Sequence, residues 1–393
     1  INYFGIYRCN QLIENAKGDT PLKKRMIAEA KFLRAYYYFD LTMAYGDVPL
    51  RLTASKTLTE GMDRTPQAQV YTQIEKDLTE AIVDLPNKSA YAAADKFRAS
   101  KQAAQALLGK TYLYAKDYPK ATAAFNDVIA KEGTEVGLIS DFSKISLQES
   151  EFGMESLLEA SFISDNKNWG NVPWNRTNND NRHLQLEGPR GPFTPGTSGI
   201  KEGWGFNPPT LKLYNAFEST DPRRAATVIS NQELITNFGG NFTDGWDTEA
   251  MIRTKFQTTA SETNGENGNT PELNYVTNWR LIRYADVLLM AAEAYQKQGG
   301  KDAEARIELN KVRTRAGMPA VTASGDALFT AIVKERQVEL AYEGFRFWDL
   351  VRWGLADQEL KNLGFVKGKH EHFPIPLNEM NGNTLIKNQN PGY

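Results

Sequence analysis

Residues 101–130, KQAAQALLGKTYLYAKDYPKATAAFNDVIA, carry the pattern from which the fold is read. Leu108-Gly109, Tyr112, Ala121, Phe125 and Val128 recur at the intervals of two consecutive amphipathic helices. Small residues at Gly109 and Ala121 let the two helices approach closely.

The spacing is that of a tetratricopeptide helix pair, lacking only its leading Trp and closing Pro. A looser copy runs from Arg283 to Arg315, where Tyr295 precedes Ala303 and Ile307 and the inter-helix turn is one residue shorter. An ordinary amphipathic hairpin is the competing reading of each copy. Outward from the first copy, residues 1–132 keep helical periodicity, broken at Gly18-Asp19-Thr20-Pro21, Thr65-Pro66 and Leu85-Pro86. Helical pattern returns at Trp279 and runs to about Trp353. The last stretch, 354–393, is rich in Pro, Gly and Asn and reads as an extended tail.

Between these helical stretches the character changes. Residues 161–275 hold four of the seven Trp, twelve of the thirty Gly and sixteen Asn, without sustained helical periodicity. So long a loop-rich segment persists for a function or is disordered, and its scattered Trp and Phe argue against disorder. The expected fold is mainly α, a single domain over 1–393. Tetratricopeptide-like hairpins at 1–132 and 279–353 form the scaffold, and an irregular ligand-binding lobe with few short strands spans 161–275.

Composition narrows the function. The 393 residues are 41% hydrophobic and 24% charged, enough for a large core. Lys and Arg total 46 against 48 Asp and Glu, so there is no basic field for nucleic acid. The longest apolar run, Val287 to Ala292, is six residues, against the roughly 20 a membrane-spanning helix needs. The single cysteine, Cys9, makes no internal disulfide, zinc ribbon or Cys-x-x-Cys motif. Ile1 in place of Met, with helix already legible from Asn2, points to a mature or trimmed product.

Catalytic signatures are mostly absent. Gly109-Lys110-Thr111 ends like a phosphate loop, but Ala104 stands where that loop needs Gly, so it reads as structural. Gly196-Thr197-Ser198-Gly199-Ile200 misses the Gly-x-Ser-x-Gly elbow by one residue. His370 and His372 would share a side of an extended tail, yet the only other His is His183, and surface or packing histidines are the simpler reading. Asp244, Asp247 and Glu249 lack the alternation of an EF-hand and read as a solvated turn. Glycosidase carboxylates are defined by separation in space, so 48 acidic residues supply many chance pairs. No cofactor or metal is expected. Glu335, Glu339 and Glu343 stack at i, i+4 spacing and repel unless cations intervene. Arg336, Arg346 and Arg352 are near in sequence, and Arg34 or Arg283 can arrive from other helices to form a buried ion-pair network. Phe345, Phe347, Trp348 and Trp353 read as packing residues.

The Trp residues of the irregular segment stand apart. Trp169, Trp174, Trp204 and Trp246 lie among Asn, Gly, Asp and Arg, too polar for a core and too aromatic for a linker. Such loops suit carbohydrate: a pyranose lays its C–H face on an aromatic ring while its hydroxyls meet planar amide, carboxylate and guanidinium groups. Asn178, Asp180 and Arg182 alternate and would face one side of an extended loop near Trp169 and Trp174. The competing reading is that these Trp only pin the loop to the helical body.

Several segments also resemble a known family. Ala28-Glu29-Ala30-Lys31-Phe32-Leu33-Arg34-Ala35-Tyr36-Tyr37-Tyr38-Phe39 and Tyr45-Gly46-Asp47-Val48-Pro49-Leu50 resemble the amino-terminal hallmark of SusD/RagB surface lipoproteins of Bacteroidetes. Arg283-Tyr284-Ala285-Asp286-Val287, Glu335-Arg336 with Glu339-Leu340 and Glu343-Gly344, Trp348-Asp349-Leu350, Arg352-Trp353-Gly354, Pro374-Ile375-Pro376 and Asn388-Gln389-Asn390-Pro391-Gly392-Tyr393 extend the likeness. The resemblance implies a nutrient-binding lipoprotein, not an enzyme. Such a protein is lipid-anchored on the outer face of the outer membrane and captures oligosaccharide or polysaccharide. It delivers this glycan to a SusC-like TonB-dependent outer-membrane transporter. Members usually begin with an export signal, a lipidated Cys and a further helical stretch, and that stretch can contribute to the ligand site. The matched motifs belong to the scaffold and carry no ligand residues across. A protein-binding or peptide-nutrient-binding scaffold of the same transporter complex is the alternative, and a glycoside hydrolase a more distant one.

Overall fold

The structure is a computed structural model describing residues 2–54, 60–164, 167–169, 180–243, 249–263 and 270–393. It divides into two compact units, Ile1–Glu135 with Phe345–Tyr393, and Val136–Gly344.

The first unit opens with α1 (Asn2–Asn15), α2 (Pro21–Tyr45), α3 (Gln67–Asp84), α4 (Lys101–Tyr114) and α5 (Tyr118–Ile129). The sequence breakers act as expected. Thr20 caps α2 by accepting the Lys23 N–H, with Pro21 in its first turn. Leu85, preceding Pro86, is extended and ends α3. Ser100 and Asp117 cap α4 and α5. A Cβ on Gly109 would lie 2.5 Å from the Phe125 ring, so the hairpin requires the glycine that its spacing singled out. Lys110 lies buried, its ammonium 4.3 Å from the Phe345 ring centroid, and the Thr111 hydroxyl bonds to the Leu107 carbonyl: a packed helix, as read. Arg34 ties three helices together. Its guanidinium holds Asp77 through two bonds of 2.8 and 2.6 Å and donates to Asn10 at 2.8 Å.

The second unit carries β1 (Ser156–Ala160), α6 (Arg182–Glu187), β2 (Phe193–Thr194), α7 (Leu211–Tyr214), β3 (Val228–Ser230), α8 (Asn231–Phe238), β4 (Asn241–Phe242), β5 (Met251–Arg253) and β6 (Trp279–Arg283). The helices α9 (Tyr284–Gln298), α10 (Asp302–Arg315) and α11 (Gly325–Glu339) follow. Its strands pair antiparallel as β1·β6, β2·β4 and β3·β5. Phe193, Ile200, Ile229, Leu234, Phe242 and Ile252 form an apolar cluster beneath the two shorter sheets. The helix α9 is buried without interruption from Tyr284 to Ala294, which places the longest apolar run at the centre of a core.

The acidic ladder on α11 is neutralised inside this unit. Glu339 receives Arg223 at 2.9 Å, Arg283 at 2.7 Å and Arg315. Glu335 receives Arg223 at 2.5 Å and Arg313 at 2.8 Å, and Glu343 receives Arg283 at 2.7 Å and Lys255 at 2.5 Å. Of the expected cations Arg283 takes part in these contacts, while Arg336 also holds Asp286, Arg34 holds Asp77 and Arg352 holds Asp349. Helices 284–339 also share a unit with the loop-rich segment, whereas the sequence had grouped them with 1–132.

The chain then re-enters the first unit as α12 (Arg346–Trp353), α13 (Ala356–Leu360) and α14 (Leu377–Gly382). The tail is therefore not wholly extended, as its composition suggested. It is also pinned: the Gln389 amide bonds both N–H and C=O of Ile375, at 2.6 and 2.9 Å, and Asn390 donates to Tyr45 and Phe373 carbonyls. These bonds give the terminal Gln389-Asn390 pair its structural purpose.

Candidate ligand-binding site

The site is built around the short helix α6. Leu184 plants it in an apolar cluster with Phe256, Tyr275 and the partly buried Trp279. Asn181 is fully buried, caps the helix by accepting the His183 N–H at 3.2 Å, and donates to the Thr277 carbonyl at 2.7 Å. At the other end Glu187 pairs with the buried Arg253, which also donates to the Lys255 and Phe256 carbonyls at 2.6 and 2.7 Å. Burial, then the Arg253 charge, hold His183 below the usual imidazole range, so it stays neutral beside the Trp279 ring at 5.4 Å.

The segment 203–206 hangs from the end of α6 by main-chain bonds. Gly203 N–H donates to Pro189 at 2.7 Å, Trp204 to Gln185 at 2.9 Å, Gly205 to Gly188 at 2.9 Å and Phe206 to Leu186 at 2.8 Å. The approach is so close that a Cβ on Gly203 would sit 2.4 Å from the Gly188 Cα. With its backbone satisfied in this way, the segment leaves Trp204 37% and Phe206 58% exposed.

Trp169 arrives from a different anchor. The fully buried Asn274 accepts the Lys167 N–H at 3.0 Å and donates to the Lys167 carbonyl at 2.9 Å. The buried Lys167 ammonium meets Asp180 at 3.1 Å, joining the chain across thirteen positions. Trp169, 48% exposed, then lies with its indole 11° from parallel to that of Trp204, the ring centroids 6.4 Å apart. Large aromatic faces left in solvent are unusual unless something covers them.

Among the sequence-predicted residues, the structure thus brings Trp169 and Trp204 together. Asp180 is 3% exposed and spends its carboxylate on Lys167 and on Arg182 Nε at 3.2 Å, so it supports the site from below. Arg182 begins α6 and is partly exposed, so the alternation of 178, 180 and 182 along an open loop does not hold through 182. Trp174, Asn178 and Trp246 lie outside the described residues, as do Asp244 and Asp247; Glu249 accepts the Leu211 N–H. His370 Nδ1 accepts the Val366 N–H at 2.9 Å, and His372 is held below the imidazole range chiefly by burial. Among the described residues no three His, Cys, Asp or Glu side chains gather as for a metal. Sequence reasoning missed Phe206, although it stands two residues from Trp204, and Gln185, whose carbonyl holds the segment.

The paired, partly exposed indoles of the second unit form a candidate binding surface, and comparison gives the chain's lineage. Residues 155–364 match the SusD family, and residues 1–113 match a family described as starch-binding associating with outer membrane. The chain belongs to the SusD family. It is 28% identical to SusD-like protein P2 of Formosa agariphila, over all of this chain and 79% of that protein. Among solved structures it is similar to a laminarin binding SusD-like protein (35% identity, TM-score 0.89, all of this chain and 84% of the other). It is also similar to surface glycan-binding protein A from Bacteroides fluxus (28%, 0.83, with the same coverage). Among the described residues no helix is long and apolar enough to cross a membrane.

Proposed function

We propose that this chain is a glycan-binding protein without catalytic activity. On this reading it is lipid-anchored at the outer face of the outer membrane and passes captured oligosaccharide to a SusC-like TonB-dependent transporter. The observation that carries glycan binding is the near-parallel, exposed pair Trp169 and Trp204. Two aligned indoles offer apolar area matched to pyranose C–H faces, and their anchoring through backbone and buried amides presets the geometry, which lowers the ordering cost of binding. The names of a laminarin-binding relative and a surface glycan-binding relative support the ligand class, and the family description supports the location. Laminarin is accordingly the first ligand to try. The shelf binds a few sugar units weakly, and many copies on a cell raise avidity toward a polymer.

Affinity electrophoresis in gels containing laminarin, within a wider glycan panel, tests this. Retardation on at least one glycan without release of reducing ends is the expected result. Mobility unchanged across the panel, with co-purification of a transporter, would instead favour a protein-binding scaffold, and release of reducing ends would make the protein a hydrolase.

A further inference from the structure

The anchors of the two indoles meet in one stretch of chain, residues 274–278. Asn274 holds Lys167, and with it the approach to Trp169, by two bonds. The Tyr275 and Thr277 carbonyls accept the main-chain N–H and the side-chain amide of Asn181, at 2.8 and 2.7 Å. They thereby hold the start of α6, from whose far end the Trp204 segment hangs. Asn278 closes the stretch by accepting the Phe162 N–H at 2.9 Å. A shift of 274–278 is thus passed to both rings.

Three carboxylates gather against this stretch. Glu151 accepts the Asn278 N–H at 2.7 Å, and Glu159 accepts the Asn278 side-chain amide at 2.8 Å and the Phe152 N–H at 2.9 Å. Glu262 accepts the Thr277 hydroxyl at 2.5 Å and the Gln148 N–H at 3.1 Å. Among the described residues one guanidinium, that of Arg280, faces them, and its donors go largely elsewhere. It donates to the Asn278 and Leu147 carbonyls at 2.5 and 2.6 Å and stands 3.6 Å from Glu159 and 3.9 Å from Glu151. Neighbouring acids have cations of their own, Glu155 in Arg283 and Arg315 and Glu149 in Lys144. With all three acids ionised, negative charge is in excess where Glu159 and Glu262 are buried, and like charges repel strongly in such surroundings.

Glu151 is the member that gives way. Its side chain keeps 18% exposure, against none for that of Glu159, so water can deliver and remove its proton. Burial pushes its carboxyl up to about 7, opposed by the Asn278 N–H and Arg280 and assisted by Glu159 and Glu262. The next residue, Phe152, already stands at φ 54°, a conformation that costs a bulky side chain free energy.

We infer that Glu151 is a proton-sensitive positioning residue for the indole pair. Protonated, it leaves residues 274–278 fixed; ionised, it repels Glu159 and Glu262 and loosens the stretch that carries Trp169 and Trp204. Its effect on a ligand rests on the glycan-binding reading, whereas its effect on the rings does not. A carboxyl raised on folding favours the folded state while protonated, a contribution that is full below the unfolded value of 4.5 and is lost as pH rises through about 7. The pair is therefore held firmly in mildly acidic surroundings and relaxes in alkaline ones.

Two readouts on the full chain, taken between about pH 6 and about pH 8, test the inference. Calorimetric titration with laminarin oligosaccharide follows binding. Near-ultraviolet circular dichroism, as the difference between wild type and Trp204→Phe, follows the coupling of the two indoles. Wild type loses about threefold in affinity over this range, and its indole signal weakens in step. Glu151→Gln has the shape of the protonated acid and can still accept the Asn278 N–H, so it holds both readouts level, while Glu149→Gln behaves as wild type. Glu262→Gln removes one repelling charge and moves the midpoint of the indole signal to lower pH. A wild-type indole signal independent of pH, an unchanged decline in Glu151→Gln, or a midpoint that Glu262→Gln leaves in place overturns the inference. If wild type binds no oligosaccharide at any pH, the glycan-binding reading of the pair falls, and the indole signal alone decides the role of Glu151.

Discussion

The indole of Trp169 and the indole of Trp204 stand 11° from parallel although each is fixed by separate hardware, one by Asn274 and Lys167, the other by the carbonyls of α6. If both rings contact one ligand, Trp169→Ala and Trp204→Ala should each weaken laminarin binding by about tenfold, roughly 1.4 kcal/mol. Circular dichroism should keep its wild-type shape and the unfolding midpoint should fall only modestly, because each residue is half or more covered but its ring is partly open to solvent.

Gly203→Ala tests the support of the shelf without touching an aromatic ring. The added Cβ would fall 2.4 Å from the Gly188 Cα and 2.7 Å from the Gln185 carbonyl oxygen, so the backbone must move and take Trp204 with it. Overpacking of this kind costs about 1–3 kcal/mol. A fall in both melting temperature and glycan retention is expected, whereas Phe206→Ala should lower retention alone.

Lys167 and Asp180 form a pair almost wholly removed from water. Asp180→Asn removes the carboxylate that meets the buried ammonium and should destabilise the second unit by about 3–5 kcal/mol. Replacing both members, Lys167→Met with Asp180→Leu, should return much of that loss in urea unfolding. A double variant as unstable as the single one would refute the ion pair as the cause.

Acid should loosen the second unit in a defined direction. Burial alone would raise the Glu339 pKa, but Arg315, Arg283 and Arg223 more than offset it and hold the carboxyl well below the usual range. Glu343 is lowered in the same way by Arg283 and Lys255. Burial likewise acts against Glu233, yet Arg224 and Ser230 bring it down to about 2. A carboxyl depressed on folding contributes stability that is full above its unfolded value, 4.5, and is lost as pH falls toward the folded one. The contribution of these three carboxyls, followed by urea midpoint, should therefore be full above about pH 4.5 and decline below it. Glu339→Gln should be less stable at pH 7 and show a shallower acid decline.

Sequence carried the helical body well, because its signals were local. The Thr20-Pro21 start and the Leu85-Pro86 stop act within a few residues of where they stand, and Gly109 acts on Phe125 within one helical hairpin. The site was legible only as residue types. Trp169 and Trp204 could be nominated as exposed aromatics, but their alignment depends on Asn274 and on the carbonyls of α6, neither of which shows any local pattern. Asp180 was read as a ligand group because burial is not written in polar composition, and only the arrival of Lys167 explains its place inside. The acidic ladder announced its need for cations, but Arg223, Arg313, Arg315 and Lys255 reach it through folding rather than proximity. The short helices of the tail escaped because Pro and Gly dominate its composition, while the bonds from Gln389 and Asn390 that secure it are long-range.

The suspension of residues 203–206 from the end of α6 through amide hydrogens has an evolutionary corollary. The main-chain bonds of Gly203, Trp204, Gly205 and Phe206 do not depend on which side chains stand at 204 and 206. Chains built on such a strip can vary the side chains it presents while the mount stays fixed.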